Sequence, residues 1–454
     1  MLERLGGVLS RASQRLVPDP FVLALLLTLV SMGAAFHYTG FDAQRTLDAW
    51  MNGSGGGKGF WNLLAFGMQM CLILVTGHAL AASPPLRRLL DALASRAKSP
   101  ASAIVIVSVA AMALALVNWG LGLIAGALLA RAVGQRAKAR GIVVHYPLLA
   151  AAGYSGLLVW HGGLSGSAPL KVTLATDLTE ILGADLAARV GTLPLSETIL
   201  AWPNLAANGV LLVVIPWILV RMLPRNEAER AACPVDAEAQ AEQAEQTDGG
   251  LAARLDGSRA LALGAAGLGA VAFWLAVKRQ GIASLDPNLI NFAFLFLGLA
   301  LHGSPRAYAE AIGEAAKGCA GILLQFPFYA GIMGLLTGTG LLKAIAAALA
   351  GVGATALPAV SFYAAGLVNL FVPSGGGQWA VQGPVLMQAA VDTGIEPSRL
   401  LMALAYGDQW TNMLQPFWAL PLLGITGVKA RDIIGYTTVL LLVSQVAFVT
   451  ALYL

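Results

Sequence analysis

FVPSGGGQWAVQGP, from Phe371 to Pro384, is the stretch whose reading decides the fold. It lies between two apolar arms, each too short to cross a bilayer, and carries three consecutive glycines, Gly375, Gly376 and Gly377. Glycine costs roughly 1 kcal/mol per residue against alanine inside a helix, so the run predicts a non-helical turn. Such backbone persists at membrane depth only where protein buries it or where it lines a cavity. Asn369, Ser374, Gln378 and Gln382 place amides and a hydroxyl beside the turn. The segment therefore predicts a re-entrant hairpin whose tip presents polar groups and free N–H groups to a small ligand.

Composition sets the frame around that hairpin. Hydrophobic residues make up 57% of the chain and charged residues only 11%, against about 25% charged in a soluble domain. Mean hydropathy is +0.72. These values predict an all-α polytopic membrane protein with the lipid bilayer as its solvent. The net charge of +4 does not point to nucleic acid, because the basic residues fall in short loops beside apolar segments, where they set topology. Cys71, Cys233 and Cys319 are scattered and suggest neither a disulfide framework nor a metal cluster. GLGLIAG at Gly120 to Gly126 follows no strand, and SGGGQW lacks the GK[ST] ending of a phosphate loop, so neither a dinucleotide nor an ATP site is expected. No nucleophile arrangement suggests an enzyme.

In chain order, residues 1–60 hold Arg4, Arg11 and Arg15 and then an uncleaved first helix from Pro20 to Phe36. Residues 61–223 form a first repeat. Within it, the segment 101–130 is interrupted by NWGLG (Asn118 to Gly122) and has basic residues outside both ends, so it enters and leaves on the cytoplasmic face. A broken segment from Tyr146 to Leu170 follows, with WHGGLSGSAP (Trp160 to Pro169) as its non-helical part. Residues 224–258 read as a soluble linker rich in Ala, Glu and Gln. Residues 259–454 form a second repeat, with an outward-facing hairpin at 357–390 and a break at Tyr406 to Pro416.

The two halves match in order. Leu116-Val117-Asn118 recurs as Leu367-Val368-Asn369, each ending an apolar arm, and Gln69 has a counterpart in Gln325. With the N-terminus inside, 20 of the 28 lysines and arginines fall on the cytoplasmic side. The pattern predicts nine full crossings plus two hairpins, one from each face: two inverted repeats, as in secondary transporters with a ligand near the midplane.

The chemistry suits a small anion. Neither hairpin nor either broken part contains Arg or Lys, so a carboxylate would be held by helix N-termini, backbone N–H groups and polar side chains. Candidate substrate contacts are Asn118, Gly120, Gly122, Ser165, Ser167, Asn369, Ser374, Gly375, Gly376, Gly377 and Gln378. Asp408, an acid within an apolar broken segment, is the first candidate for cation or proton coupling, with Gln409, Asn412, Asn118 and Asn369 beside it. Helix capping is the alternative role for Asn118 and Asn369, and purely local bonding the alternative for Ser165 and Ser167. His78 and His161 read as hydrogen-bonded structural residues, and Gln69 and Gln325 as glue between helices. A channel would want a continuous polar pore, and a membrane enzyme clustered His, Asp or nucleophiles.

FWNLLAFGMQM (Phe60 to Met70), VNWGLGL (Val117 to Leu123), LLQFPFYAGI (Leu323 to Ile332), VPSGGGQWAVQGP and AYGDQWTNMLQPFWALP (Ala405 to Pro421) together resemble the short-chain fatty acid transporter family, from about Leu16 onward. The resemblance implies uptake of small monocarboxylates such as acetoacetate or butyrate across a bacterial inner membrane. It also implies membership of a wider ion-transporter superfamily, with an elevator mechanism, a homodimer and often sodium. That sodium ion would lie near Asn118 and Asn369, with no other cofactor. Transport of another small organic anion and a passive monocarboxylate channel are the alternatives. The chain departs from the family pattern at His161, where the family favours glycine, so the resemblance assigns that side chain no role.

Overall fold

A computed structural model describes residues 2–16, 18–53, 59–234, 250–280, 287–342, 344 and 352–454, and every regular element among them is helical. The middle of the expected linker, 235–249, and the glycine-rich stretch 54–58 lie outside the described residues. The first half comprises α1 (Leu2–Leu16), α2 (Pro20–Tyr38), α3 (Ala43–Asn52), α4 (Leu64–Ala82), α5 (Pro84–Ser95), α6 (Pro100–Val117), α7 (Trp119–Ala139), α8 (Tyr146–Tyr154), α9 (Ser167–Lys171), α10 (Ala175–Leu182), α11 (Ala184–Val190) and α12 (Trp202–Arg221). The second comprises α13 (Leu251–Asp256), α14 (Arg259–Gln280), α15 (Pro287–His302), α16 (Pro305–Ala316), α17 (Ala320–Thr339), α18 (Leu357–Asn369), α19 (Gly375–Thr393), α20 (Pro397–Thr411), α21 (Leu420–Thr426) and α22 (Ala430–Leu452).

Seven helices among the described residues are long and apolar enough to cross a membrane. Six of the nine expected crossings are among them. The two broken segments and the 16-residue α15 fall short, and the seventh long helix is the hairpin arm α6. The protein is thus a polytopic helical membrane protein.

The helices sort into two packed sets. In one, α17 lies on α2, α3 and α4, and α15 lies on α4 and α14. Small residues bring these close: Gly331 faces the Trp50 indole and Gly338 faces Ala49, so a side chain at either would overlap its neighbour. Gln69 on α4 donates to Asn288 of α15 (2.8 Å), the interhelical glue expected of it. In the other set, α6, α7 and α8 pack together, α12 and α20 lie on α22, and α18 lies along α20. Gly126 and Gly153 let α7 and α8 touch backbone to backbone, and Gly407 does the same for α20 against Phe362 of α18. Between the sets run contacts of α4 with α7 and α21. α1, to which the sequence reading gave no element, lies on α22; Gly435 admits the Ser10 backbone and Ser13 donates to the Arg431 carbonyl (2.9 Å).

Three local expectations need correction. Gly375 to Gly377 are not a non-helical tip: they form the first turn of α19, started by Ser374, whose Oγ accepts from the Gly377 N–H (3.2 Å). A helix start tolerates glycine better than an interior does, because the first-turn N–H groups have no intrahelical partner in any case. The turn itself is Leu370 to Ser374. In the first hairpin only Asn118 leaves the helix, since it ends α6 and caps α7, and Gly120 and Gly122 are helical. In the second broken segment Tyr406 to Thr411 stay helical in α20, and the break runs from Asn412 to Ala419. The hairpin arms also differ in reach. α18, with 13 residues, spans about 20 Å and α19, with 19, about 28 Å, so only α18 is far shorter than the roughly 30 Å hydrocarbon layer.

Candidate functional site

Each hairpin tip is pinned by the break that follows it. At the first tip, Asn118 is buried and its Oδ1 accepts from the Leu121 N–H (3.1 Å). The Trp119 N–H donates to Ser165 Oγ (2.9 Å) and the Leu164 N–H to the Leu116 carbonyl (2.7 Å). Gly163 rests on the Leu116 backbone with no space for a side chain. At the second, fully buried Asn369 donates from Nδ2 to the Asp408 carbonyl (2.8 Å), Thr411 Oγ1 (3.0 Å) and Asn412 Oδ1 (3.0 Å). Asn412 Oδ1 also accepts from Gln415 (3.1 Å), and the Asn412 carbonyl accepts from the Tyr154 hydroxyl (2.9 Å).

The two pinned tips meet through His161 and Asp408, both essentially inaccessible to solvent. His161 Nδ1 lies 2.6 Å from Asp408 Oδ2. The Ala168 N–H donates to His161 Nε2 (3.1 Å), so Nε2 carries the lone pair and Nδ1 the proton, which goes to the carboxylate. Gln409 Oε1 accepts the N–H groups of His161 (2.8 Å) and Gly162 (3.2 Å). The Gly162 carbonyl accepts from Asn204 of α12 (2.8 Å), which in turn accepts from the Tyr406 hydroxyl (3.1 Å). One hydrogen-bonded layer thus joins the first break, α12 and α20.

Aromatic rings continue the layer towards the other helix set. Trp160 stacks on His161 (centroids 4.4 Å) and faces Trp119 (6.3 Å), which packs on Trp418 (5.0 Å). Phe417 links Trp418 to Phe326 and Tyr329 of α17. Several buried polar atoms here have no protein partner: Asn369 Oδ1, Gln409 Nε2, Asn412 Nδ2, Gln415 Oε1, Trp160 Nε1 and the Tyr329 hydroxyl. Unsatisfied buried polar groups cost about 1–3 kcal/mol each, so each of these atoms calls for a water, an ion or a ligand as its partner.

The expected site residues divide by what they touch. Asn118, Ser165, Asn369, Gly375, Asp408, Gln409 and Asn412 belong to the joined layer, whereas Ser374 bonds only within the tip's own turn and the start of α19. Gly122 serves packing instead, because a side chain there would overlap Ala115 of the opposite arm, and Gly120 abuts Ile73 of α4. Gln378 points away from the tip and braces the hairpin, donating to the Ala365 carbonyl (2.8 Å) and Gln382 (2.7 Å). Ser167 opens the short α9 and makes no bond to the layer. Gly376 has nothing within 4 Å of where a Cβ would stand, and Gly377 has only its own cap and Met333. For a sodium ion, Asn369 offers an uncommitted buried Oδ1, whereas Asn118 Oδ1 already caps α7. Trp160, Asn204 and Tyr406 were not among the expected site residues, and His161, read as a hydrogen-bonded structural residue, is bonded to Asp408 and Ala168, a partnership the sequence reading did not foresee. One signal was available: His161 and Asp408 are the imidazole and the acid of the two broken segments, and ionisable groups in apolar surroundings pair.

Comparison with known proteins agrees with these observations. A family model described as "Short chain fatty acid transporter" matches residues 1–454. A protein of Escherichia coli (strain K12) is 39% identical over 457 residues, and one of Haemophilus influenzae 36% over 456. Each match covers all of both chains, and both relatives are named "Putative short-chain fatty acid transporter". The crystal structure of the Alcanivorax borkumensis YdaH transporter aligns over 95% of this chain and 97% of its own at 15% identity and a TM-score of 0.41, too slight a likeness to carry an argument. With the family matched from end to end and two full-length relatives above one-third identity, this chain belongs to the short-chain fatty acid transporter family.

Proposed function

We propose that this protein is a secondary active transporter that carries small monocarboxylates such as butyrate or acetoacetate across the bacterial inner membrane, coupled to a proton or another cation. The observation that carries the reading is the meeting of both hairpin tips and both breaks in one buried layer around Asp408 and His161. The N–H groups of Gly375 and Gly376 open a helix and donate no intrahelical bond, so they can take a carboxylate, and the rings of Trp160, Trp119 and Phe417 suit a short apolar tail. Asp408 beside those amides holds the charge that a coupling ion, either a proton or a sodium ion near Asn369, would offset. The two helix sets correspond to a carrier unit and a support, and the paired order of hairpin, break and closing helix to inverted repeats, moving as an elevator in a homodimer.

Counterflow of labelled butyrate and acetoacetate in liposomes, with sodium present or absent and pH clamped, tests the reading. Accumulation above the outside concentration, driven by one ion gradient, is expected. Flux that dissipates gradients but never builds one would favour a passive channel.

A further inference from the structure

Of the three consecutive glycines, only Gly375 is confined by another part of the chain. A Cβ built there would stand 2.8 Å from His161 Cε1, 3.0 Å from the Trp160 ring and 3.4 Å from Asp408 Oδ2. Real carbon contacts do not approach 2.8 Å, so the imidazole occupies the space that any side chain at 375 needs. The ring is itself held on its other sides: by Asp408 at Nδ1, by the Ala168 N–H at Nε2 and by Trp160 on one face. It cannot tilt aside without giving up a bond.

The body of the second hairpin is held by α20, on which both arms pack, and by Gln378 at the Ala365 carbonyl, but the backbone of its tip is not. α18 packs chiefly along α20, and the opening turn of α19 makes its hydrogen bonds with itself, the Gly377 N–H to Ser374 Oγ and the Gln378 N–H to the Ser374 carbonyl. The first turn of α19 is instead seated against the first break. The same imidazole that receives Gly375 also fixes Asp408 Oδ2, so the position of the tip and of the carboxylate beside its amides are set by one side chain.

We propose that His161 is a positioning residue, a latch that seats the tip of the second hairpin on the first broken segment by filling the space beside Gly375 while holding Asp408. The inference rests on the transport reading for its consequence, which is that the substrate site is complete only when the tip is seated on this ring. It makes the necessity of glycine at 375 depend on histidine at 161.

That dependence gives the test. In full-length protein with Cys71, Cys233 and Cys319 replaced, a Gly376→Cys reporter is added for the labelling measurements alone, because a Cβ at 376 meets nothing within 4 Å, and uptake is measured in the same variants without the reporter. Gly375→Ala should lower butyrate uptake in liposomes roughly tenfold and speed labelling of the reporter by an impermeant maleimide, as overpacking by one methyl lifts the tip. Adding His161→Gly removes the obstructing ring and lets Trp160 relax into its place. The double variant should label at the slow parental rate and recover uptake to within roughly threefold of His161→Gly alone, a coupling that independent sites do not show.

The labelling comparison decides the latch even where His161→Gly by itself transports poorly. Parental uptake and labelling in Gly375→Ala would overturn the inference, and so would a double variant labelled as fast as Gly375→Ala. If the parent protein moves no monocarboxylate, the transport reading falls while the labelling result still stands for or against the latch.

Discussion

Replacing Asp408 with asparagine keeps the side chain's shape and leaves Oδ1 to accept the His161 Nδ1–H, so the buried layer should survive while its charge disappears. The magnitude follows from the position of the carboxylate, 3.4 Å from where a Cβ of Gly375 would stand. A substrate carboxylate held by the Gly375 and Gly376 amides would bring its charge to roughly 5 Å from that of Asp408. At an effective dielectric of about 20 the repulsion is about 3 kcal/mol, or roughly two orders of magnitude in affinity. The anion therefore binds well only when a proton or cation offsets Asp408, and that differential affinity is the coupling. Asp408→Asn should bind butyrate more tightly, up to roughly a hundredfold, and with no dependence on the coupling ion. It should exchange labelled for unlabelled substrate across the membrane, yet fail to accumulate it, because no ion is released with each turnover. Both activities are measured in the same liposomes. Concentrative uptake that persists with an unaltered sodium or pH dependence would remove Asp408 from the mechanism.

Further expectations follow from other parts of the structure. Gly376→Val should insert and fold normally, since its Cβ has open space, but abolish uptake by blocking approach to the helix start; near-normal uptake would show that the substrate does not come there. Single cysteines near Gln135 and Thr393 should react with impermeant reagent from opposite faces of the membrane, and labelling of both from one face would contradict inverted repeats. His145, in the loop before α8, accepts from the Ala231 N–H (3.1 Å) and bonds the Tyr436 hydroxyl (2.8 Å), and burial, then the Arg230 charge, lowers its pKa from 6.5 to about 4. The unfolded chain takes that proton first, so stability should fall as pH drops from about 6.5 to about 4. The parent's melting temperature should thus fall further between pH 7 and pH 5 than that of His145→Gln, and equal falls would exclude this histidine.

What the sequence disclosed and what it hid separate by range. The long apolar helices α2, α12, α14, α15 and α22 and the chain reversals beside Asn118 and Asn369 were readable because they rest on local patterns: apolar runs of fixed length, basic residues at their ends, and an asparagine closing each of two equivalent arms. The conformation of Gly375 to Gly377 was misread for a local reason too. Propensity weighs glycine as a helix interior, whereas Ser374 makes the run a capped first turn, and a cap followed by glycines differs from a glycine-rich loop only in where the preceding chain bends.

The pairing of His161 with Asp408 had no such local signature. The residues are 247 apart, and neither neighbourhood shows a periodicity that names the other. What joins them is the requirement that buried polar groups find partners, which acts on whichever breaks the fold brings together. Each break frees backbone donors and acceptors, and the freed groups are met from across the molecule: His161 and Gly162 by Gln409, Trp119 by Ser165, and Asn412 by Tyr154. Because those partners come from both halves, moving either break alone would strand several buried groups at about 1–3 kcal/mol each, whereas moving both breaks and both tips together with α12, whose Asn204 bonds Gly162 and Tyr406, keeps these bonds. The bonding pattern thus ties both breaks, both tips and α12 into one hydrogen-bonded unit.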